Sequence, residues 1–284
     1  MRVYCDQNFL IRIGKENGEY KAGLQKLVRE GEIVLVLSAW HWVEMAQGKN
    51  QKASLALADF ADSLQPMWIR ERRILQRHEV EAAFFAWLNI PYTRPDALAS
   101  RGEVIAEISR KRPQVVAERT SRDIVSDFTS HPELMNPLHK SYAGNVIDTN
   151  ANRRACKAGH LGAGTQRDMD RHYVDRLLPK QTPTGLLIDR TSKDRFLDNV
   201  DIQTCPAIAT EFAVTDWLWS TTGRTRWQDH MDRNHVIPAL PYVDLMATND
   251  NDLTKMIHAV KANLQFSTAC PVTKESFDHL YVKP

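Results

Sequence analysis

Cysteine is scarce and scattered in this 284-residue chain: Cys5, Cys156, Cys205 and Cys270 form no C-x-x-C pair, and no histidine stands at zinc-finger spacing from them. A zinc module built from Cys and His is therefore excluded, and the four thiols read as reduced. Long apolar runs are missing too. The opening MRVYCDQNFLIRI carries Asp6 and Arg12 inside its apolar stretch, so it reads neither as a signal peptide nor as a spanning helix. A cytoplasmic protein that does not engage membranes is expected. Excess charge of one sign is also lacking: the net is +2, with 43% hydrophobic and 25% charged residues. Those values exclude a disordered or collagen-like chain and leave any polyanionic partner to be argued from local charge.

What is present is an α/β pattern at the two ends of the chain. Residues 2–5 and Ile33 to Leu37 are β-prone runs separated by helical spacing at Leu24, Leu27 and Val28, closed by Gly31. That order predicts a strand, helix, strand unit and the start of a parallel sheet. Toward the C-terminus, Pro206 to Ser220 and Asp229 to Leu240 predict helices, the second containing Pro238. Asp244 to Thr248 then predicts a strand, Leu253 to Asn263 a helix, Leu264 to Ala269 a short strand, and Thr273 the start of a closing helix. Between these zones, Leu55 to Leu64 and Met67 to Leu88 predict helices, and Asp96, Thr120, Thr165 and Thr191 are candidate N-caps of weaker ones. Asn136 to Gly164, rich in Asn, Gly, His and Arg, predicts a long loop. The expected organisation is one domain, with a core from about 1–62 and 211–284 and a mainly helical insertion over about 63–210.

Ligands of open parallel sheets collect beyond the carboxyl ends of the strands. Asp6 and Asp250 each follow a predicted strand, Glu44 follows the second strand, and Asp232 lies on the helix before the Asp250 strand. Four carboxylates on one rim repel unless a cation sits among them. An all-oxygen set suits Mg²⁺ or Mn²⁺, which bind carboxylates together with substrate phosphate and so point to phosphodiester chemistry.

These residues carry a family resemblance. The chain resembles the PIN-domain nucleases through Asp6-Gln7-Asn8 after a strand and through the strand-Ser-x5-Glu pattern of IVLVLSAWHWVE, ending at Glu44. It also resembles them through Asp232, followed eighteen residues later by the strand-end Thr248-Asn249-Asp250-Asn251-Asp252. The resemblance implies a Rossmann-like parallel sheet flanked by helices and a divalent-metal-dependent endoribonuclease. Asp6, Glu44, Asp232 and Asp250 would be the metal ligands, and Asn8, Ser38 and Thr248 would orient them, with Asp252 a looser match. Asp244 would fix the strand entrance. A partner protein that neutralises the activity belongs to the same expectation. Cleavage of DNA, or a scaffold of the same fold that binds without cutting, are the alternatives.

Plainer readings stand beside these. Asp6, Asp250 and Asp252 suit helix caps and polar turns, Glu44 suits a solvated helix face, and Asp229 rivals Asp232 one turn away. His41 and His235 read as structural or surface groups, although His41 between Trp40 and Trp42 suggests stacking on a base. The basic clusters Arg70 to Arg73 with Arg77, Arg110 to Arg112, and the Arg153, Arg154 and Lys157 group are candidate RNA contacts. Local charge favours that division: the nets are 0 for residues 1–62, +4 for 63–210 and −2 for 211–284.

Overall fold

The computed structural model describes residues 1–109, 118–158, 163–220 and 226–279. A six-stranded sheet organises them, built from β1 (Arg2–Cys5), β2 (Val34–Ser38), β3 (Met67–Ile69), β4 (Leu98–Ala99), β5 (Leu245–Ala247) and β6 (Cys270–Val272), in the order β4-β3-β2-β1-β5-β6. Every pairing is parallel except that of β3 with the edge strand β4. The chain adds β2 and β3 on one side of β1 and returns to its other side with β5 and β6. The direction of strand order therefore switches between β1 and β5, where an α/β sheet leaves a crevice.

Alternation along the strands divides the core in two. Val3, Cys5, Leu35, Leu37 and Trp68 pack on one face; Tyr4, Val36, Ile69 and Met246 pack on the other. The first face is covered by α1 (Gln7–Gly14), α2 (Gly18–Arg29), α3 (Ala39–Ala46), α4 (Gln51–Ser63), α6 (Arg101–Ser109) and α7 (Ser121–Ser130), through residues such as Phe9, Leu24, Trp42, Ala58, Val104 and Val125. The second face is covered by α5 (Arg72–Trp87), α11 (Pro206–Ser220), α12 (Trp227–Ala239) and α13 (Asn251–Lys261), through Leu75, Val214, Val236 and Met256. Helices on both faces of a mostly parallel sheet make this an α/β fold of Rossmann-like character. The remaining helices are α8 (Asn136–Lys157), α9 (Ala163–Asp175), α10 (Arg190–Asn199) and the short α14 (Lys274–Phe277).

Segment 63–210 is helical over most of its described length, but it also supplies β3 and β4 to the sheet. Met67 to Ile69, expected to begin a helix, instead pairs with Val36 to Ser38 of β2. Tertiary pairing overrides the helical pattern because Trp68, almost wholly buried, stacks on Trp42 at 4.3 Å. The loop expected over Asn136 to Gly164 is largely the helix α8, which opens with Pro137 in its first turn and packs against α11 and α12. The strand expected at Leu264 to Ala269 lies slightly later, at β6. Of the four candidate caps only Thr120 serves: α10 is capped by Asp189, Thr165 lies inside α9, and α6 begins after Asp96, at Arg101. Pro238 falls in the last turn of α12, where, having no N–H, it cannot donate the ladder bond that an amide at 238 would give to Asn234 O.

Helix α11 is buried nearly all round, with Val214 toward the sheet and Ile208 in a second cluster with Val80, Phe84 and Phe196. Its buried Glu211 is paired with Arg72 of α5 at 3.4 Å and with Arg233 of α12. Both carboxylate oxygens of Glu79 accept from Ala207 N at 2.9 Å, and Tyr242 Oη donates to the same group. Burial, only partly offset by these bonds and by the charge of Arg94, pushes Glu79 up to about 7. A raised carboxyl value means stability is full below the unfolded value near 4.5 and is lost as pH rises through 7. Glu79→Gln should therefore remove about 3 kcal/mol of the pH dependence between pH 4.5 and 7, measured as the difference in urea-unfolding free energy.

Candidate active site

The crevice at the switch point is bounded by the ends of β1 and β5, and Asp6 is built into that boundary. Its backbone N–H donates to Ala247 O at 3.0 Å, joining β1 to β5. Asp6 Oδ1 accepts from Phe9 N at 2.6 Å, capping α1, and Oδ2 accepts from Thr248 Oγ1. The cap reading of Asp6 is thus correct as geometry, and the side chain is still held at the rim. Thr248 Oγ1 in turn accepts from Asp250 N at 3.0 Å. Asp250 Oδ1 caps α13 by accepting from Asp252 N and Leu253 N at 2.7 and 3.0 Å.

Glu44 and Asp232 arrive from helices on opposite faces of the sheet, α3 and α12. Asp232 is buried and accepts from Gln228 Nε2 at 2.9 Å. Its rival Asp229 is tied to Arg226, in the first turn of α12. The four acids feel one another electrostatically. Burial first, and then the charges of Asp250 and Glu44, push Asp232 up to about 7 against the pull of Gln228 and His235. Burial likewise pushes Asp6 up to about 6, with Glu44 adding to it, although Thr248, Phe9 and His235 pull the other way.

The counter-charge comes from a residue that sequence reasoning set aside. His235 lies one helical turn after Asp232 and is 2% exposed. Its Nε2 is 3.2 Å from Glu44 Oε2, an ion pair whose atoms are shielded from solvent and not aligned as a hydrogen bond. Burial alone would lower His235, but the charges of Glu44, Asp232 and Asp6 outweigh it and hold the ring above its ordinary value. Burial also opposes ionisation of Glu44, yet His235 keeps that carboxyl below its ordinary value. On the far side of the ring, Nδ1 meets Tyr4 Oη at 2.5 Å, and Tyr4 Oη meets Ser38 Oγ at 2.8 Å. His41 completes the wall. Burial and the neighbouring charge of His235 push it down to about 4, so it is neutral. Its Nε2–H donates to Cys5 O at 2.6 Å while Nδ1 accepts from Ser38 N at 3.0 Å.

Asn8 is exposed on the first turn of α1 and no hydrogen bond joins it to the acids; Ser38 reaches them only through Tyr4 and His235. Asp252 is half-exposed and engaged by Arg226 at 3.0 Å and Lys255 at 3.1 Å, which makes it a surface ion-pair partner. Asp244 fixes the strand entrance by accepting from Arg2 N at 2.7 Å. Trp42 belongs to the core, donating to Ser121 Oγ at 2.9 Å. Arg70 and Arg72 are spent on Glu103, Glu107 and Glu211, and Arg77 on Glu81 at 2.8 Å, while Arg73 and Arg77 line an open groove of about 770 Å3 with Arg176 and Lys180. Arg153, Arg154 and Lys157 lie near the end of α8, on a helix where a loop was expected, and Arg110 to Arg112 fall outside the described residues. The missed signal was spacing: His41-x-x-Glu44 and Asp232-x-x-His235 each place an imidazole and an acid on one helix face.

The donor chemistry suits a hard cation: carboxylate oxygens dominate, and Glu44 Oε2 is shielded from solvent and lacks a hydrogen bond. As the side chains stand, no three His, Cys, Asp or Glu groups among the described residues are gathered as a ready-made ligand set. Also among the described residues, no helix is long and apolar enough to cross a membrane. Compared with family models, curated proteins and solved structures, the chain matches none.

Removing His235 leaves buried acids without their cation. His235→Ala should cost about 3 kcal/mol of ion-free stability in urea titrations near pH 6. The histidine's contribution is full below its unfolded value of 6.5 and fades as pH rises through the raised folded value; that of Glu44 fades as pH falls below 4.5. The gap between wild type and variant should therefore be widest between those limits.

Proposed function

We propose that this chain is a divalent-metal-dependent nuclease of PIN-like fold that hydrolyses phosphodiester bonds, with RNA as the substrate. One observation carries the reading. Asp6 and Asp250 follow β1 and β5 at the sheet's switch point, joined through Thr248, and burial pushes Asp6 and Asp232 up to about 6 and 7, with the charge of Glu44 acting on both and that of Asp250 on Asp232. Crowded acids at such a crevice are a mark of a functional site.

Asp6, Glu44, Asp232 and Asp250 would hold Mg²⁺ or Mn²⁺. When bound, the ion supplies a water ionised near neutral pH and charge stabilisation for an in-line displacement at phosphorus. The chain's own groups do the rest. Thr248 fixes the rotamer of Asp6, Gln228 that of Asp232, and the capped backbone of α13 that of Asp250. The His235 ring supplies positive charge among these acids and is tethered by Tyr4. A site held this way is rigid before a ligand arrives, which limits the reorganisation that binding requires.

Asp6→Asn and Asp232→Asn should each lower Mn²⁺-dependent cleavage of single-stranded RNA by at least ~100-fold and abolish the thermal shift that Mn²⁺ gives the wild type. Full activity in either variant contradicts the reading. Cleavage of DNA in preference to RNA by the same preparation would reassign the substrate. Because protons compete for carboxylates whose values are raised to about 6 and 7, Mn²⁺ affinity should rise steeply from pH 5.5 to 7.5 and level off above. Titration calorimetry across that range checks it.

A further inference from the structure

Beside Glu44 an open-sided groove of about 600 Å3 runs between α1 and α4, within the ~300–1,000 Å3 of typical ligand sites. Three lysines line it: Lys15 after α1, Lys21 on α2 and Lys49 in the turn between α3 and α4. Among the described residues, no carboxylate forms an ion pair with any of the three. Phe60 supplies a half-exposed aromatic surface, with Lys21 Nζ 5.3 Å from its ring centroid. Gln7, next to Asp6 in the chain, contributes a side-chain oxygen that is shielded from solvent and lacks a hydrogen-bond partner. The turn that brings Lys49 to the groove needs Gly48, since a Cβ there would lie 2.5 Å from Ser54 Oγ.

We infer that this groove is the track by which a single-stranded polynucleotide reaches the acid site. The inference rests on the nuclease reading and deepens it by assigning the strand's path. Lysines without carboxylate partners lining an open channel suit phosphates, and a half-exposed aromatic ring suits a base, the combination by which single strands are held without sequence preference. The end at Glu44 gives the channel a direction, toward the acids. It differs from the basic groups of segment 63–210, on which the charge distribution had placed the RNA.

The test is fluorescence anisotropy with a labelled oligo-uridine 12-mer and the full chain in EDTA, so that the probe stays intact, titrated over a series of salt concentrations. Lys15→Glu/Lys21→Glu/Lys49→Glu should weaken binding by at least ~30-fold and flatten the plot of log affinity against log salt by about 2, close to ~0.7 for each lost phosphate contact. Lys49→Gln alone should flatten it by about 0.7, and keeps the test available if the triple variant folds poorly. Phe60→Leu, which keeps apolar volume but removes the π face, should weaken binding ~10-fold at an unchanged slope. A charge-matched control outside the groove, Lys26→Glu/Lys193→Glu/Arg195→Glu, should stay within about twofold of wild type. Unchanged slopes in the groove variants, or an equal loss in the control, overturn the track while cleavage by the wild type leaves the nuclease reading standing. Wild-type protein that neither binds nor cuts the strand overturns both.

Discussion

Negative charge held out of water at the carboxyl edge of the sheet is the constraint around which the rest is arranged. Asp6 and Asp232 are each 4% exposed, and Glu44 pairs with a histidine that is itself 2% exposed. Such a group of acids is unstable without a cation, and the fold provides one in the His235 ring. Tyr4 tethers that ring at Nδ1 and is held in turn by Ser38. Alternation along β1 explains the arrangement: Tyr4 points to the α12 face while Val3 and Cys5 point to the other. A strand of four residues thus supplies both a core anchor and the tether of the site.

Segment 63–210 holds the site from behind. Glu211, buried in α11, bridges Arg72 of α5 and Arg233 of α12, the residue between Asp232 and Asn234. Glu79 of α5 meets the first turn of α11 and accepts from Tyr242, just past the end of α12. The helix bearing Asp232 and His235 is therefore positioned by buried ion pairs and hydrogen bonds as well as by apolar packing. Such networks are costly unless complete, so they constrain geometry more than they add stability.

Much of the frame was readable from local pattern: the strands near residues 2–5, 33–37 and 244–248, the helix Pro206 to Ser220, and the rim position of Asp6 and Asp250 all follow from periodicity and turn residues. What escaped depended on partners distant in sequence. Met67 to Ile69 is a strand because β2 lies beside it, and the polar stretch of α8 is helical where α11 and α12 pack against it. His235 escaped because the Asp232-x-x-His235 spacing puts acid and imidazole on one helix face without showing what that face meets. Only the meeting of Glu44, Asp232 and Asp6 around it turns a core imidazole into a buried cation. Asn8 and Asp252 fitted the motif by spacing, yet Asn8 faces solvent and Asp252 pairs with Arg226 and Lys255, since sequence spacing does not say which way a turn points.

The central claim is that Asp6, Glu44, Asp232 and Asp250, with His235 among them, form a divalent-cation site. A crystal structure of the full chain grown with Mn²⁺, with anomalous scattering used to locate the ion, tests it most directly. The account predicts a manganese peak bounded by Asp6, Glu44, Asp232 and Asp250, with His235 Nε2 withdrawn from its 3.2 Å contact with Glu44. An intact His235–Glu44 pair with no manganese between the four acids at saturating Mn²⁺ would contradict it.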